Sequence, residues 1–279
     1  IINYEKVAVS HVSEILSEII TLGGKIMFSK HHVSQKGIIH SKNTNVTSLH
    51  LCSLSINLPR LAFESNKDET YFRARLALLM KPALSSMALR KKSISDLVRL
   101  GINPVLGDST QYMQRSSVSL IVNLIGLHNA VYGILGFKND KQGKEILHKV
   151  IETAVDVASK KAKELSVNVM ICITESDGSD RFVSLDEEKY GKDTILKIID
   201  GETYSQGITL DGGTMTELTA KSAEIVECNK ITKILNGGLL VPLKIPGGTK
   251  VTQIKKLIEK ACSFIDSFKP VIKIPVCGN

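Results

Sequence analysis

Two short segments carry side chains that could bind a small polar ligand. In the first, Asn57 and Arg60 flank the pair Leu58-Pro59 at the end of an extended run. Proline stops a strand ladder, so both polar side chains would lie at the mouth of a strand. An asparagine there could hydrogen-bond a substrate hydroxyl. The alternative is a strand terminator with a polar cap, and spacing alone leaves both interpretations open.

The second segment is a small, hydroxyl-rich turn, Thr174-Glu-Ser-Asp-Gly-Ser179, which follows a short apolar run. Hydroxyls and backbone N–H groups after a strand can cradle phosphate. The candidate binding residues are Thr174, Ser176, Asp177, Gly178 and Ser179. The carboxylates of Glu175, Asp177 and Asp180 would repel a phosphate, so a plain surface turn is the alternative.

Other motifs argue against a resident metal or a nucleotide-binding fingerprint. The histidines His31, His32, His40 and His50 are close in sequence, but no CxxC pair accompanies them, and we predict no metal site. The segment Pro246-Gly-Gly-Thr-Lys250 lacks the phosphate-loop pattern GxxxxGK[ST]. We interpret it as a turn in which Thr249 caps a helix.

Helical and extended patterns alternate along the chain and must position these segments. Apolar residues at three- and four-residue steps predict helices over 9–20, 68–100, 146–165 and 251–264, with Pro82 a candidate break or kink in the second. Short β-branched runs predict strands over 49–56, 118–125, 167–173, 239–245 and 271–276.

Strands separated by helical segments imply crossover connections and a mostly parallel sheet, hence an α/β fold. Parallel sheets of this class bind ligands at the carboxyl ends of their strands. We expect one domain over residues 1–279, with an exposed loop at His31–Thr47, because no long linker divides the chain.

Composition and charge limit the function classes. The chain has 279 residues, of which 43% are hydrophobic and 23% charged, which is typical of globular proteins. No apolar run approaches the ~18 residues of a membrane span, and residues 1–60 show no signal-peptide pattern. Five widely spaced cysteines indicate core thiols, so we expect a cytoplasmic protein. The net charge of +8 suits nucleotide or nucleic-acid partners, although the favoured interpretation is the plain one, since many intracellular proteins carry this balance without using it.

The string Ser55-Ile-Asn-Leu-Pro-Arg-Leu-Ala-Phe-Glu-Ser65 resembles the "INLPRIALES" segment of anaerobic (class III) ribonucleotide reductases. These glycyl-radical enzymes convert ribonucleoside triphosphates to deoxyribonucleotides. Further segments resemble the family in the same order: Val12–Phe28, Ile125–His128 with Leu135-Gly136, Asp180–Phe182 with Leu185-Asp186, Ile234–Pro246 and Ile272–Pro275. The resemblance covers nearly the whole chain but only the C-terminal half of a full-length reductase.

This resemblance implies part of the α/β barrel of glycyl-radical enzymes, with mostly parallel strands and crossover helices. It matches Asn57 to an asparagine near the family's catalytic cysteine, and Thr174–Ser179 to the family's substrate-phosphate loop. It implies a nucleoside triphosphate with magnesium as ligand and a homodimer, and we assign no other cofactor.

The departures from the family concern the radical chemistry. The family's thiyl-radical cysteine lies in a finger loop ahead of "INLPR", but residues 27–51 contain no cysteine and Cys52 is too close to the strand to take that role. The glycyl-radical motif is absent from these residues, and of the zinc cysteines only Cys277 has a counterpart. A thiyl must abstract the ribose 3′ hydrogen, so we expect no reduction by this chain alone and assign no catalytic residue.

Three functions remain open from the sequence. The first is a radical-incompetent relative that still binds nucleotide. The second is a partial reductase whose companion chain supplies the radical cysteine and glycine. The third is a basic scaffold associated with nucleic acid through Arg90-Lys91-Lys92 and Lys138–Lys149, whose alternative is solvated helix faces.

Overall fold

The computed structural model describes residues 2–3, 10–29, 49–102, 118–176, 178–199, 201–211 and 222–272. These residues form two compact units. One contains the described residues within Ile1–Val33, Gly207–Lys233 and Gly238–Asn279, and the other contains those within Ser34–Gln206 and Ile234–Gly237. A single domain over 1–279 stays a prediction. The loop expected at 31–47, the side chains of the four histidines and Cys277 lie outside the described residues.

Helices and strands alternate along the chain, as the sequence patterns predict. In chain order they are β1 (Ile2–Asn3), α1 (Ser10–Thr21), β2 (Phe28–Ser29), β3 (Leu49–Asn57), α2 (Leu58–Glu64), α3 (Glu69–Arg99), β4 (Val118–Ile125), a π-helical turn (Asn129–Ile134), α4 (Lys141–Leu165), β5 (Asn168–Ile173), α5 (Ser179–Tyr190), α6 (Lys192–Leu196), β6 (Leu210–Asp211), α7 (Ala223–Ile234), β7 (Gly238–Leu239), β8 (Val241–Ile245), α8 (Val251–Phe264) and β9 (Ser267–Ile272).

The unit that contains Asn57 is built on a parallel sheet. Strand β4 pairs with β3 on one side and with β5 on the other, both parallel. Ser55, Asn123 and Cys172 are register partners across the three strands. All three strands therefore present their carboxyl ends at one edge of the sheet, and the predicted α/β architecture is confirmed here.

Long helices cover this sheet and bury their apolar faces. Helix α3 begins at its cap Asp68, whose side chain accepts from the Tyr71 N–H, and it continues through Pro82. The expected break at Pro82 does not occur, because packing of α3 against α4 outweighs the loss of one backbone donor. Helix α4 begins at its cap Asp140 and ends at Ser166, which has a left-handed backbone.

The other unit has a mixed sheet. Strand β2 pairs antiparallel with β9, and β8 pairs parallel with both β9 and β6. The Phe28 and Phe268 rings stack at 5.0 Å between centroids. Helix α8 has the predicted bounds and buries Ile254, Leu257, Ile258 and Ala261.

Three sequence predictions in this unit are wrong in detail. The last strand begins at Ser267 rather than at residue 271, because the chain stays extended through Pro270. The run 239–245 is divided into β7 and β8. Lys250, not Thr249, is the cap residue of α8; its N–H donates to Gln253 Oε1 at 3.2 Å, while the Thr249 hydroxyl donates to the Pro246 carbonyl. None of the described helices is long and apolar enough to cross a membrane.

Candidate functional site

Asn57 is both the last residue of β3 and the cap of α2. Its Oδ1 accepts a hydrogen bond from the Arg60 N–H at 3.1 Å, and Pro59 lies in the first turn of the helix. Proline is favoured there because the first-turn N–H groups have no partner within a helix. The polar cap anticipated from the sequence is therefore a helix cap, and it holds Asn57 at the carboxyl edge of the sheet.

A buried carboxylate on α5 holds this asparagine from the other side. Asp186 is fully buried. Its Oδ2 accepts from Asn57 Nδ2 at 2.7 Å and from the Tyr204 hydroxyl at 2.9 Å. Its Oδ1 accepts from Arg60 Nε at 2.6 Å, and the Arg60 Nη2 lies 2.5 Å away. Each carboxylate oxygen is thus satisfied, as a buried charge requires.

The network fixes the orientation of the Asn57 amide. Because Nδ2 donates to Asp186 and Oδ1 accepts from the Arg60 N–H, the amide keeps one N–H and one lone pair for a further partner.

Burial raises the pKa of the Tyr204 phenol well above its ordinary value, and the neighbouring Asp186 carboxylate adds to this effect. Tyr204 therefore remains a hydrogen-bond donor at physiological pH.

The turn after β5 is tied to β3 through hydroxyl groups. The Ser55 and Ser176 Oγ atoms lie 2.9 Å apart, and the Ser176 N–H donates to Gln206 Oε1 at 2.7 Å. Gln206 Nε2 donates to Ser179 Oγ at 2.6 Å. Asn123 on β4 holds the start of the turn, because its Oδ1 accepts from the Thr174 N–H and its Nδ2 donates to the Thr174 carbonyl, both at 2.9 Å.

The turn leads directly into α5. Gly178 is the cap residue of this helix and makes no side-chain capping bond, while Ser179, the first helical residue, is buried. The Ser179 N–H donates to the Ser176 carbonyl at 3.2 Å, and first-turn N–H groups that have no such partner can donate to water or to an anion. Asp180 in the same turn is exposed and acidic.

The structure therefore brings together most of the residues singled out from the sequence. Asn57 ends β3, and Thr174, Ser176, Gly178 and Ser179 follow β5; Ser55, two residues before Asn57, contacts the turn through Ser176. Asp177 lies outside the described residues.

Sequence reasoning gave no site role to four side chains that organise the site: Asn123, Asp186, which it noted only as part of the Leu185-Asp186 resemblance, Tyr204 and Gln206. One signal for Asp186 was available. It follows Val183 by three residues and so shares the buried face of α5, where an aspartate needs a partner. The partners themselves are distant in sequence, since Asn57 and Asp186 are separated by 129 residues.

Neither thiol of this sheet is open to the carboxyl edge, because Cys52 lies far back on β3 and Cys172, next to the last residue of β5, is buried. Cys52 precedes Asn57 by five residues on β3, which is about 16 Å along an extended strand. Cys172 is buried against Asn123, its Sγ 3.6 Å from Oδ1, and burial raises the pKa of this thiol to about 12. Among the described residues, no group of three or more histidine, cysteine and acidic side chains is arranged to hold a metal ion.

Comparison with known proteins supports the resemblance seen in the sequence. The chain is 25% identical over 173 residues to the anaerobic ribonucleoside-triphosphate reductase of Haemophilus influenzae, an alignment that covers 57% of this chain and 24% of that protein.

Solved structures of the anaerobic ribonucleotide reductase from Thermotoga maritima share the fold. The form with glycerol in the active site gives a TM-score of 0.65 at 15% identity, covering 92% of this chain and 44% of that chain. The complex with dATP and CTP gives a TM-score of 0.63 at 16% identity, and the alignment covers 98% of this chain and 49% of that chain. The predicted fold class is confirmed. The chain spans no more than about half the length of these relatives.

A match to the family as a whole extends over almost the entire sequence. The sequence profile of the anaerobic ribonucleoside-triphosphate reductases aligns with residues 13–277. With the shared fold and the ordered motifs, this alignment shows that the chain belongs to the anaerobic ribonucleoside-triphosphate reductase family.

Proposed function

We propose that this chain binds a nucleoside triphosphate with magnesium at the carboxyl edge of β3, β4 and β5, and that it does not reduce ribonucleotides on its own. The observation that carries the proposal is the convergence of Asn57 and the Thr174–Ser179 turn at one sheet edge, each held by hydrogen bonds from a neighbouring element. A site whose polar groups are already oriented loses less entropy when a ligand binds.

Each part of the edge has a role suited to a nucleotide. The remaining N–H and lone pair of Asn57 suit a ribose hydroxyl, which both donates and accepts. The first turn of α5, with the Ser176 hydroxyl beside it, suits a phosphate, while the buried Ser179 hydroxyl accepts from Gln206 and donates to Asp180 and so positions the turn. Arg60 adds a cation, since 31% of its side chain is exposed while it pairs with Asp186.

The acidic side chains of the turn favour the magnesium complex over free triphosphate. Glu175 and Asp180 are exposed beside the uncapped first turn. Their carboxylates would repel a free triphosphate, and a bound magnesium ion removes part of that repulsion. A related protein has been solved in complex with dATP and CTP, which supports nucleotide as the ligand class.

The absence of a cysteine from the segment that corresponds to the family's finger loop is the reason to propose binding without reduction. Residues 27–51 contain no cysteine, and Cys52 lies well back from the edge along β3. Radical reduction would then require a companion chain that supplies the cysteine and glycine. A cytoplasmic location goes with this proposal, since the four described cysteines, Cys52, Cys172, Cys228 and Cys262, are free thiols.

A paired substitution tests the proposal. Ser176→Ala removes the hydroxyl that contacts Ser55, whereas Ser184→Ala removes an exposed hydroxyl of α5 that bonds within its own helix. We expect Ser176→Ala to weaken the binding of magnesium-ATP or magnesium-CTP by about five- to tenfold, the cost of one lost hydrogen bond, and Ser184→Ala to leave it unchanged.

Isothermal titration of the folded proteins, with and without magnesium, measures these affinities. Equal effects of the two substitutions would contradict the assignment of the turn. Deoxynucleotide formation by the isolated chain would contradict the absence of reduction. Polynucleotide binding that falls steeply with salt, in a chain that binds no triphosphate, would favour the basic-scaffold alternative.

A further inference from the structure

Helix α3 is apolar on two opposite faces. One face is buried in the unit that contains Asn57, through Phe72, Leu76, Met80, Leu84, Met87 and Val98. A helix with a single buried face normally presents polar residues on the other side. The outer face of α3 does not follow this pattern.

The outer face carries a line of large exposed apolar residues. Tyr71, Leu78, Pro82, Leu89 and Leu100 are separated by seven, four, seven and eleven residues, which places them in one stripe along about 43 Å of helix. The exposed fractions are 65% for Leu78, 66% for Leu89 and 67% for Leu100. Ser85 and Ser93 occupy intervening positions of the stripe. We call this line the outer stripe.

Positive charge borders the outer stripe. Lys81, Lys92 and Arg99 follow one edge, Arg90 lies on the other, and all four are exposed. The acidic side chain within the C-terminal part of the stripe, Asp96, pairs with Arg99 at 3.5 Å. One edge is therefore basic from Lys81 to Arg99, and an occupant with acidic margins would be attracted to it.

We infer that the outer stripe docks an acidic amphipathic helix of a protein partner. Two observations determine this choice. The apolar line is interrupted: it has five members over about eight turns, with Ser85, Ser93 and Asp96 between them, and Leu79 and Leu97, 44% and 42% exposed, lie on one flank. Such a broken strip suits the seam between two packed helices, whereas a helix lying in a membrane surface has a wide, continuous apolar face. The basic border selects acidic residues beside the partner's apolar seam and disfavours a second copy of this chain, whose own border would be repelled.

Two synthetic peptides of 21 residues serve as probes. One has leucine at heptad positions a and d with glutamate at the flanking positions, and the other has lysine in place of every glutamate. We expect the acidic peptide to bind the full chain at least tenfold more tightly than the basic one, measured by fluorescence anisotropy at 0.1 M salt.

Substitutions on the exposed stripe then locate the contact without disturbing the core. The double variant Leu78→Gln with Leu89→Gln should weaken binding of the acidic peptide at least tenfold. Leu196→Gln is the control, because this leucine is 50% exposed but lies outside α3, and it should not change the binding. Lys81→Glu with Lys92→Glu should reverse the preference between the two peptides.

Three results would overturn the inference: equal binding of both peptides, unchanged binding by the double leucine variant, or no binding of the acidic peptide together with binding to phosphatidylserine vesicles. Concentration-dependent self-association in sedimentation that the double leucine variant abolishes would also overturn it, in favour of a second copy. This test is independent of nucleotide binding.

Discussion

The substitution Asp186→Ala tests whether one buried carboxylate organises the candidate site. The carboxylate is fully buried and accepts from Asn57, from Arg60 and from the Tyr204 hydroxyl. Removing it leaves three donors without their acceptor inside the unit. Deleting one partner of a buried ion pair costs about 3–5 kcal/mol.

The geometry places the expected cost near the lower end of that range. Arg60 keeps 31% of its side chain exposed, so water can solvate its guanidinium after the substitution. We expect Asp186→Ala to lower the free energy of unfolding by about 3 kcal/mol. Tyr204→Phe removes one hydrogen bond to the same carboxylate and should cost about 1–1.5 kcal/mol.

Urea unfolding followed by far-ultraviolet circular dichroism measures these differences. Glu188→Ala is the matched control, because Glu188 lies on the same helix and is exposed, and its effect should stay within about 0.5 kcal/mol. A cost for Asp186→Ala no larger than that for Tyr204→Phe would refute the reasoning, since it would mean that the network does not depend on the carboxylate.

Three further predictions follow from local geometry. Gly126 has φ +74°, and a Cβ there would lie 2.4 Å from Pro59 Cγ, whereas at Gly136, with φ +81°, an added Cβ would meet no atom within 4 Å. In urea unfolding, Gly126→Ala should therefore lower the free energy of unfolding more than Gly136→Ala. Equal costs would contradict the clash. Burial raises the pKa of Tyr204 in the folded state, so above its ordinary value of 10.0 the unfolded chain releases this proton first, and the unfolding free energy should fall as pH rises past about 10. Tyr204→Phe should remove that part of the decline, and an unchanged pH profile would contradict the burial of a neutral phenol. Burial raises the pKa of the Cys172 and Cys228 thiols to about 12, so both should react with iodoacetamide at pH 8 far more slowly in the folded protein than in urea; equal rates by mass spectrometry would show that they are accessible.

The fold was largely predictable from local patterns. The run Val118–Ile125 gives β4 with its observed bounds, because a β-branched apolar segment between polar neighbours has few alternatives to a buried strand. The last strand was misplaced because Pro270 suggests a strand end, whereas the pairing of β9 with β8 keeps the chain extended there.

The site residues that follow extended runs were predictable from the sequence, but the side chains that contact them from distant segments were not. Asn57 and the Thr174–Ser179 turn can be found from their positions after extended runs. Tyr204 could not be found in this way, since its contact with Asp186 depends on how α5 packs beside the segment that follows α6. Such pairings are set by tertiary packing, which periodicity in one sequence does not encode.

Thermal unfolding of the chain with a panel of ribo- and deoxyribonucleoside triphosphates, each with and without magnesium, tests the central proposal most directly. A ligand present at 100 times its Kd stabilises the folded state by about 2.7 kcal/mol. We predict a selective rise in Tm with a magnesium triphosphate that Ser176→Ala reduces and Ser184→Ala does not. No rise with any triphosphate, at concentrations up to several millimolar, would contradict a nucleotide site at this edge of the sheet.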